Sequence, residues 1–198
     1  MWNRRFAGED YLYGTEPAAF LRREAGRIAP GGRVLSVAEG EGRNAVWLAA
    51  QGFEVTAMDG APNALAKARR LAAARGVTVD FHLADIALWD WEAAPFDAVI
   101  GIFIQFAPRA VQDRIMAGMK RALRPGGLLL LHGFAPRQVG YGTGGPPDPD
   151  QMYTEALLRD RFADFEILEL RDYDAEIAEG PGHSGRAALV DLVARRPA

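Results

Sequence analysis

Two hydrophobic periods alternate along this chain: short apolar runs of strand length, and longer stretches with helical spacing. Residues 33–38 read as a first strand that runs straight into Gly40-Glu41-Gly42. Residues 43–51 then read as a helix with Gly52 as its C-cap. A second strand over 53–58 ends at Asp59, and an alanine-rich helix over 61–75 is capped by Gly76. Val77 to Leu83 alternates like a third strand and leads to Ala84-Asp85. Strand four spans 96–102, a helix spans 108–123, and Leu128 to Leu131 form a fully apolar fifth strand. Strands that alternate with helices predict an α/β domain with a mostly parallel sheet.

The two ends depart from the alternation. Residues 1–30 read as a helical lead-in, with Pro17 opening a helix and Phe20, Leu21 and Ile28 as its buried stripe. Residues 135–151 have no periodicity and many Gly and Pro breakers, so a long functional loop is predicted directly after a central strand. A helix over 153–162 and two strands, 165–170 and 187–194, follow. Two strands without a helix between them predict an antiparallel pair.

Composition narrows the function classes. A chain of 198 residues suits one domain, here 1–198, with a substantial core. Net charge is −3 and the basic residues are dispersed, which gives no footprint for nucleic acid. The absence of cysteine excludes disulfides, thiolate metal sites and cysteine nucleophiles, and no metal site is expected. No segment approaches about 18 apolar residues, and the N-terminus lacks a signal-peptide core, so the expectation is a cytoplasmic protein without a membrane partner.

A strand that turns through glycines into a helix N-terminus is a nucleotide-type ligand site. Gly40-x-Gly42-x-x-Ala45 also fits a dinucleotide fingerprint, and Asp59 sits where a ribose-binding acid would be. Glu39 and Glu41 separate the readings. A pyrophosphate at about 5 Å from either, at an effective dielectric of about 20, meets a repulsion on the order of 3 kcal/mol. A ligand with an ammonium and a sulfonium is favoured by the same two charges.

With these residues in place, the chain resembles the class I S-adenosylmethionine-dependent methyltransferases over nearly its whole length. Gly-Glu-Gly-Arg-Asn-Ala-Val-Trp-Leu-Ala and the aromatic lead-in (Trp2, Phe6, Tyr11, Tyr13) look most like the tellurite-resistance and thiopurine-type enzymes. The resemblance implies a Rossmann-like, seven-stranded, mostly parallel sheet with helices on both faces and an antiparallel C-terminal strand pair. It implies S-adenosyl-L-methionine as cofactor and a small-molecule acceptor, a soft sulfur, selenium or tellurium nucleophile among the candidates. The implied cofactor residues are Ser36, Glu39, Gly40 and Gly42 in the first turn, Asp59 and Gly60 for the ribose, Asp85 and Ile86 for adenine, Ile102 and Phe103 beside the methionine, and Tyr11 closing over them. Ser36, Ala38 and Glu39 depart from the family pattern, which has an acid, a glycine and often a cysteine there.

On the acceptor side, His132 ends strand five and is a candidate general base. His183 and Arg186, in the turn before the last strand, are candidates for an oxyanion contact. Phe103, Gln105 and Phe106 follow strand four, where acceptors lie, and Tyr141 and Tyr153 are expected in a lid. The Asp/Asn-Pro-Pro-aromatic motif of enzymes acting on exocyclic amines is missing after strand four, which argues against a nucleic-acid acceptor. The expected assembly is a monomer or homodimer. An NAD(P)-dependent oxidoreductase and a non-catalytic cofactor-binding sensor are the alternatives.

Overall fold

The computed structural model describes residues 1–198. Its helices are α1 (Trp2–Arg5), α2 (Ala19–Glu24), α3 (Arg43–Ala50), α4 (Pro62–Ala74), α5 (Arg109–Ala122) and α6 (Glu155–Arg161). Its strands are β1 (Arg33–Val37), β2 (Glu54–Asp59), β3 (Asp80–Leu83), β4 (Phe96–Ile102), β5 (Leu123–Phe134), β6 (Glu166–Ala178) and β7 (Ser184–Arg195). They form one sheet in the order β3-β2-β1-β4-β5-β7-β6. The first five strands are parallel, while β7 runs antiparallel to both β5 and β6.

Strand side chains alternate between the two faces, and each face has its own core. Leu35, Val37, Val99, Leu129 and Leu131 pack with Ile115 and Met119 of α5 and Leu158 of α6. Val34, Ala98, Ile100, Leu128 and Leu130 pack with Phe20 and Leu21 of α2 and Leu48 of α3. Coverage of both faces explains why β4 and β5 read as continuous apolar runs. Strand order reverses between β1 and β4, which places the C-terminal ends of β1, β2 and β4 around one crevice.

The lead-in departs from the expected helix. Residues 6–18 are not helical between α1 and α2. Their backbone groups bond elsewhere: Asp10 O accepts from Lys67 Nζ, Leu12 O accepts from Gly182 N–H, and Tyr13 N–H donates to Glu41. The C-terminal strands are longer than their apolar runs. Past Leu170, β6 alternates charged and half-buried residues because it is the sheet edge, and ladder pairing with β7 continues to Ala178. Pairing with Phe96 likewise extends β5 back to Leu123, through Pro125-Gly126-Gly127 and ahead of the predicted start at Leu128.

Gly42, the N-cap of α3, has φ +94°, and a Cβ there would lie 2.7 Å from the Ala68 methyl of α4. Gly52 has φ +89° with open space around it. Both would carry the cost of a left-handed side-chain-bearing residue, about 1–2 kcal/mol, but only Gly42 adds overpacking of about 1–3 kcal/mol. Urea denaturation should therefore show Gly42→Ala losing clearly more stability than Gly52→Ala; equal losses would mean that the α3–α4 contact is slack.

Candidate functional site

The turn from β1 into α3 is built around one buried carboxylate. Glu39 Oε1 accepts from the N–H groups of Asn44 (3.0 Å) and Ala45 (2.9 Å), while Oε2 accepts from the Ser36 hydroxyl. It caps the first turn of α3, where free N–H groups and the helix dipole favour a negative charge. Burial raises its pKa to about 6 against these hydrogen bonds. Ala38 and Gly40 reach the turn with φ of 48° and 69°.

Asp59, at the end of β2, closes the same turn from the other side. Its Oδ2 accepts from Gly40 N–H (2.8 Å) and its Oδ1 from Ala61 N–H (2.7 Å), just ahead of α4. Burial raises its pKa in spite of these two bonds. Asp85 follows β3 and folds back on Ala87 N–H (2.9 Å).

A cavity of about 870 Å³ opens at these strand ends. Glu39, Gly40, Asp59, Gly60, Asp85, Ile86, Ile102 and Phe103 all line it, so eight of the residues expected to hold a ligand share one space. Ser36 lies behind Glu39, and Gly42 supports the turn against α4 without reaching the cavity. Tyr11 is also outside, with its hydroxyl on Lys67 O; Tyr13, Phe6 and Trp2 of the lead-in form the wall instead.

The far wall comes from the β6–β7 turn and the loop after β5. Gly144 to Pro147 line the cavity together with Gly182 and His183. His183 is 6% exposed and its ring centroid lies 4.4 Å from Tyr13, 4.4 Å from Phe103 and 5.2 Å from Phe134. Burial, and then the nearby charge of Arg43, lower its pKa to about 3, so the imidazole is neutral at pH 7. Phe103 holds its position with φ 55°, an uncommon value for a residue with a side chain.

Several expected roles do not match the geometry. Arg186 points away from the cavity: its guanidinium is 2.8 Å from Asp174 on the surface and lies over Tyr141. Tyr141 donates to Asp174 (2.6 Å), and Tyr153 is a core residue, so neither ring forms a lid over the cavity. His132 is buried 2.6 Å from Asp191, stacked on Phe20 and edge-on to Phe103, which makes it a support for the Phe103 wall. Burial opposes the charge on Asp191, but His132 and Arg23 outweigh it and hold its pKa below the usual range. Glu41 faces neither ligand nor solvent; it pairs with buried Lys67 Nζ at 2.7 Å. Glu39 alone therefore carries the charge argument against a pyrophosphate.

Arg43 was not legible as a site residue. It is the first residue of α3, it lines the cavity at 6% exposure, and its Nη2 lies 2.8 Å from Glu179 Oε2 without hydrogen-bond alignment. Its partner is 136 residues away, so only the fold brings the two together.

No helix is long and apolar enough to cross a membrane. Residues 34–127 match the family model described as a methyltransferase domain. A demethylmenaquinone methyltransferase of Thermus thermophilus is 39% identical over 110 residues, covering 54% of this chain and 50% of that protein. The chain thus spans about half the length of the curated relatives it matches. Three solved structures share the fold. A protein from the conversion of a disulfide bond into a thioacetal group during echinomycin biosynthesis superposes with a TM-score of 0.79 at 24% identity, over 99% of this chain and 92% of that one. TehB from Haemophilus influenzae gives 0.72 at 22% identity, over 89% and 61%. The N-methyltransferase NodS from Bradyrhizobium japonicum, solved with S-adenosyl-L-homocysteine, gives 0.71 at 15% identity, over 100% and 97%. Residues 34–127, which run from β1 into β5 and supply the strand-end acids of the crevice, thus belong to the methyltransferase domain family.

Proposed function

We propose that the chain transfers a methyl group from S-adenosylmethionine to a small acceptor that arrives as an anion or releases its proton easily, with thiolates and their selenium and tellurium counterparts foremost. One observation carries the acceptor class: His183, the imidazole on the cavity wall, is held neutral and is a very weak base. An alcohol or amine acceptor needs its proton removed at the site, whereas a soft thiolate does not. The thioacetal-forming relative in fold acts at sulfur, which accords with this reading.

The residues present suit the cofactor. Asp59 keeps lone pairs for the ribose hydroxyls beyond those bonded to Gly40 and Ala61 N–H. Asp85, with Ile86 beside it, suits the adenine amino group and ring. Glu39 suits the methionine ammonium through the free lone pair of Oε2, and the backbone of Ile102 and Phe103 flanks the methionine. In this chain Ser36 supplies a hydroxyl and Glu39 the acid, so the exchange keeps one carboxylate in the turn. When bound, S-adenosylmethionine supplies a methyl carbon that accepts the acceptor's electron pair as its bond to sulfur breaks. Trp2, Phe6, Phe103 and Phe106 surround that space with apolar surface, exclude water and hold the two reactants in line.

The direct experiment measures S-adenosylhomocysteine release across thiols, selenite, tellurite, phenols and amines. Turnover confined to phenols or amines would overturn the acceptor class, and cofactor binding without turnover on any acceptor would favour a sensor. Asp59→Ala should weaken cofactor binding by about 1–3 kcal/mol; unchanged affinity would remove the ribose role. Glu39→Gln should weaken S-adenosylhomocysteine more than 5′-methylthioadenosine, which lacks the ammonium; equal losses would place Glu39 elsewhere. The neutral imidazole also has a linkage consequence. Between its ordinary value of 6.5 and about 3, unfolded chains bind a proton that folded chains refuse, so His183 lowers stability as pH falls through this window. Denaturation of His183→Gln should show a stability–pH slope shallower by up to about 1.4 kcal/mol per pH unit below pH 6; parallel slopes would mean that His183 titrates normally.

A further inference from the structure

Two buried nitrogens, on residues that line the cavity, have no protein partner. Arg43 Nη1 and His183 Nδ1 are both buried and both unbonded, on residues that are 6% exposed and line the cavity. They come from distant parts of the chain, the first residue of α3 and the turn between β6 and β7. Arg43 has a single ionic partner, Glu179, whose Oε1 is occupied by Ala19 N–H (3.3 Å). Nη2 of the guanidinium is thus anchored, while Nη1 has no acceptor in the protein. Buried donors of this kind are paired in folded proteins, and an unpaired guanidinium nitrogen calls for an acceptor from a ligand.

The surroundings sharpen the choice of ligand. Tyr13, Phe103 and Phe134 enclose His183 and keep water away, which strengthens any charge-assisted bond made there. Arg5 of α1 is a second cation on the cavity lining, and the acids there, Glu39, Asp59 and Asp85, suit the cationic and hydroxyl groups of the cofactor. A fixed cation beside an imidazole in an aromatic wall suits a planar oxyanion instead.

The geometry points to an anion subsite formed by Arg43 and His183, which binds a carboxylate or comparable oxyanion carried by the methyl acceptor. It rests on the methyltransferase reading above and adds a substrate class to it: an acceptor with a negatively charged oxygen group in addition to its nucleophile. Arg43 Nη1 donates to the anion, His183 Nδ1 donates a second hydrogen bond in the matching tautomer, and Glu179 holds the guanidinium in place.

The cofactor has a carboxylate of its own, so the test separates the two sources. Wild-type protein is saturated with S-adenosylhomocysteine, which fills the cofactor's share of the cavity and brings that carboxylate with it. Acetate, benzoate and selenite are then titrated calorimetrically, with benzamide as the uncharged match for benzoate. The expected result is that benzoate binds at least tenfold more tightly than benzamide. Arg43→Gln should weaken anion binding at least tenfold while S-adenosylhomocysteine affinity stays within threefold. Arg43→Lys, a point charge without the planar fork, should fall between the two. Should Arg43→Gln fail to fold, the benzoate–benzamide difference in the wild type decides.

Equal binding of benzoate and benzamide, or no binding by any of the three anions, overturns the subsite. Loss of S-adenosylhomocysteine affinity in Arg43→Gln, with anion binding intact, overturns it in favour of the cofactor's own carboxylate. Failure of the wild type to bind S-adenosylhomocysteine at all is a separate result, and it overturns the methyltransferase reading itself.

Discussion

The site depends on how the chain stabilises a sharp turn between a buried strand and a buried helix. That turn leaves N–H groups at the start of α3 with no partner in the helix, and they lie inside the protein. Glu39 meets two of them with one oxygen and keeps the other for Ser36 and the cavity. Asp59 does the same from the neighbouring strand, bonding Gly40 and Ala61 N–H. Two carboxylates therefore hold the backbone in shape while their remaining lone pairs face the ligand space. The acids that shape the pocket also give it a negative lining, which favours cationic and hydroxylic groups.

Much of this was legible because it is local. The alternation of periods located β1, β2, β4, α3, α4 and α5 within a few residues, since strands buried on both faces and amphipathic helices write their environment into adjacent positions. The strand-end acids were legible for the same reason: each follows an apolar run by one or two residues. The long β6 was not legible past Leu170, because an edge strand with one solvent face is as charged as a loop.

Residues whose partners are distant in sequence were misread or missed. Glu41 looked like a second ligand-facing acid, but Lys67, 26 residues on, neutralises it inside the protein. Arg186 looked like an oxyanion contact from its place in the turn before the last strand, yet Asp174 pairs with it at the surface. Arg43 looked like an ordinary helix opening, and only the return of the chain at Glu179 and His183 makes it part of a wall. Motif reading assigns charge by position, whereas the fold assigns it by which opposite charge arrives first.

One contact at the edge of the cavity sets a dimension. The lead-in and the β6–β7 turn meet at Gly14 and Gly180, both with φ above +70°, and a Cβ on Gly180 would lie 2.4 Å from Gly14 N and 2.5 Å from Tyr13 C. Tyr13 and His183, the ring pair on the far wall, sit on either side of this crossing. The spacing of that pair is thus calibrated by a missing carbon atom, like a shim left out of a joint. A single methyl group added there would prise the two segments apart and shift the ring pair on the far wall of the cavity.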